Sequence, residues 1–303
     1  MEPIELRARL TGLMSFPVTP FDSNGQLDLQ RFREHVQSQL ETPATGIFAA
    51  CGTGEMFSLT PAEHRSVVEA AVQEVKDTGK PVIAGVGYGT AIALQMAESA
   101  EAAGADGVLV LPPYLVTAEQ DGLFEHYRRI AAAVNIGIIP YQRDNGLLTP
   151  QSVRRLAEIP NVVGLKDGHG DADLLTRVRL ATEGRIALMN GMPTAELTSM
   201  AFRACGVESY SSAVLNFVPE IAAAYFEAFS SGDLQATDRL LNGFFRPFVE
   251  LRDVRAGYAV ALVKAGINIR GAPVGDVRPP LVSPSPEHLA RLEEIIDQGL
   301  DLV

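Results

Sequence analysis

Lys166 ends a short apolar run, Val162-Val163-Gly164-Leu165, and is followed by Asp167. The run carries two β-branched residues and a single glycine, and reads as a buried strand. An ammonium at the inner end of such a strand is costly to desolvate, so burial favours the neutral amine. A free amine attacks a carbonyl and forms a Schiff base. The competing reading is a lysine that ends an edge strand and pairs with Asp167 in water. Other chemistry-bearing residues recur after apolar runs. Gly52-Thr53-Gly54-Glu55 offers backbone N–H groups and one hydroxyl to an anion. Tyr141 offers a phenol able to move protons beside an amine. Arg143 offers a bidentate fork for a carboxylate. Gly191 and the serines Ser209, Ser211 and Ser212 follow or occupy two later runs. Each has a plainer reading: a tight turn, a core aromatic, a salt bridge to Asp144, a satisfied hydroxyl.

What positions them is a regular alternation. Strand-like runs begin at residues 12, 46, 81, 107, 136, 162, 185 and 206, and a helical pattern follows each. The first helix, 27–40, places Leu29, Phe32, Val36 and Leu40 on one face. Thr60-Pro61-Ala62-Glu63 is a capping box with proline at the first helical position, and Thr117 with Gln120 predicts another. Later helices are expected over 149–157, 171–180, 193–204 and 216–229. Eight strands alternating with eight helices predict a (β/α)8 TIM barrel, about 250 residues long. No Gly-x-Gly-x-x-Gly follows the first strand to favour an open doubly wound sheet. Residues 1–229 make the barrel, and 230–303 read as a helical extension packed on it within one structural domain. The extension predicts helices over 234–241, 254–264 and 286–300, with the Gly- and Pro-rich 271–280 irregular. Barrel enzymes work at the C-terminal ends of their strands. That rule gathers the lysine, the tyrosine, the arginine, Gly191, the Gly-Thr-Gly loop and the serines at one mouth.

Composition bounds the partners. The 303 residues carry 37 acidic against 25 basic side chains, a net charge of −12, which argues against nucleic acid and anionic membranes. No apolar run approaches the roughly 18 residues of a membrane span. The N-terminal residues have mixed charge and no apolar core, unlike a secretory signal. Two cysteines, Cys51 and Cys205, are too few for a disulfide framework and fit a reducing, cytoplasmic setting. The five histidines show no metal-ligand spacing, so no metal is expected.

Taken in order, these residues resemble the dihydrodipicolinate synthase/N-acetylneuraminate lyase family over essentially the whole chain. Gly52-Thr53-Gly54-Glu55 resembles the family's Gly-[Thr/Ser]-Thr-Gly-Glu loop, while Tyr141 and Gly164-Leu165-Lys166-Asp167 match its tyrosine and lysine. Within the family, residues 13–21 (LMSFPVTPF), 48–59 (FAACGTGEMFSL), 141–145 (YQRDN), 190–196 (NGMPTAE) and 210–219 (YSSAVLNFVP) resemble a decarboxylating dehydratase. The resemblance implies a Schiff base on Lys166, with no separate cofactor, and proton transfer by Tyr141. Thr53 and its neighbouring amides would hold the carboxylate of a small keto-sugar diacid, and the chain would form a homo-oligomer, a tetramer in much of the family. Gly52 stands where the synthases carry a hydroxyl residue, and Leu115 follows Tyr114 where they carry a second tyrosine. The synthases' Thr–Tyr–Tyr proton relay therefore has no counterpart here. Gln142 replaces the dehydratases' usual asparagine. Two other readings fit the same residues: a class I aldolase releasing pyruvate from a 2-keto-3-deoxy sugar acid, and a barrel that binds keto acids without catalysis.

Overall fold

Strands buried on both faces need apolar side chains pointing both ways, and the apolar runs supply them. In the computed structural model, which describes all 303 residues, eight short parallel strands close into a barrel in chain order. They are β1 (Leu13–Ser15), β2 (Gly46–Ala49), β3 (Val82–Val86), β4 (Gly107–Val110), β5 (Gly137–Gln142), β6 (Gly164–Asp167), β7 (Ala187–Asn190) and β8 (Ser209–Ser212). β8 pairs back onto β1, with Met14 opposite Ser211. The helix α1 (Pro3–Arg9) precedes the barrel. A helix follows each strand: α2 (Leu29–Leu40), α3 (Pro61–Val75), α4 (Thr90–Ala102), α5 (Gln120–Ala133), α6 (Pro150–Leu156), α7 (Ala172–Thr182), α8 (Ser199–Ala204) and α9 (Pro219–Ser231). Beyond them come α10 (Leu234–Leu240), α11 (Arg246–Arg252), α12 (Tyr258–Ile269) and α13 (Pro286–Leu300). No helix is long and apolar enough to cross a membrane.

The period of two along each strand sorts the side chains. Met14, Phe48, Ile83, Leu109, Ile139 and Met189 form one cluster inside the barrel. Their neighbours Ile47, Ala49, Val82, Val108, Ile138 and Leu165 belong to a separate cluster between strands and helices. The floor of the barrel is closed by α1, an element absent from the sequence reading. Its Leu6 and the following Leu10 join the interior cluster. A β-carbon at Gly107 or Gly137 would lie 2.7 or 2.5 Å from Leu6 Cδ2, so the glycines that start β4 and β5 make room for the plug. Seven residues with one fully buried side chain leave too little periodicity to read.

Local signals held where a side chain had a backbone partner. The Thr60–Glu63 capping box forms as expected. The Thr117–Gln120 box does not: Glu119 is the N-cap, and the Gln120 amide instead binds Leu147 O and Thr149 N, tying two loops together. The helix expected over 193–204 is broken. Thr194 takes a left-handed φ of 50°, a 3-10 turn covers Ala195–Thr198, and only Ser199–Ala204 is α-helical. In the extension, α12 starts later than expected and α11 was not read at all, because a π-helical turn over Leu241–Phe245 shifts the helical period.

The extension is bound to the barrel by charge as well as by apolar contact. Lys264 on α12 and Glu55 after β2 form an ion pair at 2.6 Å, with side chains 1% and 0% exposed. Lys264 Nζ also donates to Asp276 O at 3.0 Å, and the Arg278 amide donates to Glu55 Oε2 at 3.1 Å. The Arg278 guanidinium binds Glu63 at the start of α3. Removing one partner of a buried pair strands the other charge. Lys264→Met is therefore expected to cost about 3–5 kcal/mol in urea unfolding, and the Lys264→Met/Glu55→Gln double variant should recover much of that loss.

Candidate active site

The register of the barrel sets the central pair. Tyr141 on β5 lies directly beside Lys166 on β6, and Lys166 beside Met189 on β7. All three side chains point inward. Lys166 is 5% exposed. Its Nζ lies 3.4 Å from the carbonyl oxygen of Gly191 and 3.9 Å from the centroid of the Tyr141 ring. The Tyr141 hydroxyl donates to the same carbonyl at 2.8 Å. One acceptor thus holds both the amine and the phenol. The approach is close enough to exclude a side chain: a β-carbon at Gly191 would lie 2.7 Å from Nζ, and one at Gly168 would lie 2.7 Å from the Tyr141 hydroxyl.

Asp167 does not pair with Lys166, so the solvent-facing ion pair is excluded. Asp167 turns to the other face of β6 and is 1% exposed. It accepts from the amides of His169 and Gly170 and from the side-chain amide of Gln142. Gln142 in turn accepts from Leu148 N at 3.3 Å. The residue that departs from the family pattern therefore works behind the strand, joining the loops after β5 and β6.

A cavity of about 530 Å³ opens above Lys166. Gly52, Thr53, Tyr141, Arg143, Lys166, Gly191 and Ser211 all line it. A β-carbon at Gly52 would meet nothing within 4 Å, so its missing side chain leaves open space in the cavity. Arg143 Nη1 stands 3.4 Å from the Tyr141 hydroxyl and its Nε binds Asp144 at 2.8 Å.

Three residues expected at the mouth are elsewhere. Gly54 packs beneath the loop, where a β-carbon would lie 3.1 Å from Pro17 O, and its carbonyl accepts from Thr19. Ser209 occupies the start of β8, toward the barrel floor, and donates to Leu188 O. Ser212 points to the helices, fully buried, and donates to Glu196 at 2.6 Å. The strand period explains the last: Ser211 faces inward, so Ser212 faces outward. The sequence reading missed Thr194, Arg252, Val260 and Val263, which also line the cavity. The last three come from the helical extension, which no rule about strand ends would place there.

Behind Ser212 lies an unusual carboxyl. Glu196 is fully buried, and its Oε2 and the hydroxyl of Tyr210 have no hydrogen-bond partner. Burial pushes the Glu196 carboxyl up to about 7 from an ordinary 4.5. The folded chain then holds a proton that the unfolded chain releases. This contribution is full below pH 4.5 and is lost as pH rises through about 7. Glu196→Gln keeps an acceptor for Ser212 and removes the titration. Its stability relative to the parent should rise across that window by about 3 kcal/mol, as read from urea unfolding at a series of pH values.

Similar proteins match the chain along nearly its whole length. A family model described as the dihydrodipicolinate synthetase family matches residues 9–299. A Streptomyces coelicolor protein called probable 5-dehydro-4-deoxyglucarate dehydratase 1 is 51% identical, covering 100% of this chain and 98% of its own. A Rhizobium rhizogenes protein called probable 5-dehydro-4-deoxyglucarate dehydratase is 48% identical, over 98% of each chain. The crystal structure of dihydrodipicolinate synthase from Oceanobacillus iheyensis superposes with a TM-score of 0.91 at 26% identity, covering 99% of this chain and 100% of that one. Sequence and architecture thus agree from one end of the barrel to the other, and the chain belongs to the dihydrodipicolinate synthetase family.

Proposed function

We propose that the protein is a 5-dehydro-4-deoxyglucarate dehydratase, a lyase that converts its substrate to 2,5-dioxopentanoate, CO2 and water. The observation that carries this reading is the buried amine of Lys166 sharing one acceptor with the Tyr141 phenol. Relatives about half identical over the whole chain bear that name. The substrate is a six-carbon diacid with a keto group beside one carboxylate. Thr53 and the neighbouring amides hold that carboxylate. Lys166 attacks the keto carbon, Tyr141 passes the proton that lets hydroxide leave as water, and an iminium forms. The guanidinium of Arg143 favours the negative charge that grows on the phenol oxygen during transfer.

The iminium acidifies the adjacent methylene. Tyr141, left as the phenolate by that transfer, takes the methylene proton to give an enamine and returns it as the β-hydroxyl leaves as water. Ser212 takes no part, since its hydroxyl is held by Glu196 away from the cavity. The unsaturated iminium now extends toward the far carboxylate. The bond to that carboxylate breaks, CO2 leaves, and the electron pair flows to the nitrogen. Reprotonation and hydrolysis release the product and regenerate the amine. The Schiff base serves as the electron sink for both losses, so the sequence of steps uses no metal or organic cofactor.

We also propose that the chain acts in the cytoplasm as a homo-oligomer, most simply a tetramer. Two free, buried cysteines support the first. Tyr114 and Leu115 at the cavity rim, with Val116 next in sequence, support the second, being 68%, 83% and 59% exposed. Apolar runs of this kind mark contact surfaces. Light scattering should give a multiple of the 32.5 kDa chain mass. Leu115→Glu should lower that mass, and a monomeric parent chain would refute the assembly.

Incubation with 5-dehydro-4-deoxyglucarate is expected to release CO2 and 2,5-dioxopentanoate together, with borohydride fixing a substrate adduct on Lys166. Tyr141→Phe should reduce kcat about 10²–10⁴-fold. Pyruvate without CO2 would establish the aldolase instead. Reversible keto-acid binding with no adduct would establish the non-catalytic barrel.

A further inference from the structure

Besides Lys166, three charged side chains line the cavity: Arg143, Asp144 and Arg252. Two guanidiniums against one carboxylate, in a chain of net charge −12, mark the cavity as a site for an anionic ligand. Lys166 is the nucleophile. Arg143 sits 3.4 Å from the Tyr141 hydroxyl, at the reacting end, and its side chain is 39% exposed. Arg252 has no role in the steps above. It is the last residue of α11, outside the strand–helix repeat, and its side chain is only 15% exposed.

Its surroundings are built. Arg252 Nη1 donates to Thr194 Oγ1 at 2.9 Å, while Nε and Nη2 donate to Asp253 at 2.8 and 3.2 Å. A guanidinium has five N–H groups. These contacts leave one free on each Nη, enough for a carboxylate. Asp253 is 61% exposed, so water screens its charge. Thr194 is 4% exposed and holds a φ of 50°. A β-branched residue in that region is strained, and the strain persists only where the surroundings enforce it. The strained turn after β7 therefore presents a hydroxyl that fixes the Arg252 fork at the cavity wall.

We propose that Arg252, braced by Thr194, binds the far carboxylate of the substrate and selects diacids over monoacids. The assignment rests on the reaction proposed above. With one carboxylate on the loop after β2 and the keto carbon on β6, the remaining chain runs along the wall formed by the turn after β7 and by α11. The far carboxylate is the one lost as CO2, so the residue that orients it also sets the angle of the breaking bond against the extended iminium.

Binding to the Lys166→Met variant, read by calorimetry, isolates recognition from turnover. The ligands are the keto diacid and a six-carbon keto monoacid whose far end is a hydroxymethyl group. Adding Arg252→Met should lower the diacid-to-monoacid affinity ratio about 10–100-fold. Arg252→Lys should fall between, since a lysine keeps the charge and loses the fork. An unchanged ratio, or an equal loss for both ligands, would overturn the assignment while leaving the reaction standing. A parent enzyme that releases no CO2 from the diacid would sink the reaction without altering the measured ratio.

Discussion

A primary amine taken out of water needs a hydrogen-bond acceptor, and for Lys166 the carbonyl of Gly191 is that acceptor. A carbonyl satisfies an N–H of the amine without demanding charge. The same oxygen takes the Tyr141 hydroxyl, so the amine and the phenol are held to one atom. The rest of the site follows from keeping that atom in reach. Gly191 and Gly168 lack side chains because Lys166 and Tyr141 occupy the space where β-carbons would be. Asp167, next in sequence to the lysine, is turned to the opposite face of the strand and consumed by loop amides and Gln142.

The helical extension is part of the site rather than an appendage. Its α12 supplies Val260 and Val263 to the cavity and, through Lys264, grips Glu55 at the base of the Gly52-Thr53-Gly54 turn. Glu55 holds a left-handed φ of 53°, a conformation that needs outside support. The buried ion pair gives that support at the residue where the Gly52-Thr53-Gly54 turn rejoins regular structure.

Much of this was legible in the sequence, for identifiable reasons. Strand order alone brings Lys166 and Tyr141 to one mouth, because a barrel collects the ends of all its strands. The period of two separates Ser211 from its neighbours, but only once the register of β8 is known; without it the three serines look alike. Arg252 left no signal. It lies beyond the strand–helix repeat, and the π-turn before α11 disrupts the spacing that would reveal the helix. The break at Thr194 was hidden for another reason: Pro193 followed by helix-compatible residues looks like a helix start, and only tertiary contacts force the left-handed turn. The plug α1 is too short for periodicity to speak.

That plug has a consequence for traffic. Leu6 and Leu10 seal the floor, and the interior layer of Met14, Phe48, Ile83, Leu109 and Ile139 leaves these side chains at most 1% exposed. With the floor sealed, the chamber above Lys166 is entered from the rim. Substrate, the water expelled, the gas released and the water that frees the product all pass the same rim. Tyr114 and Leu115 at that rim therefore stand on the path of everything that enters or leaves.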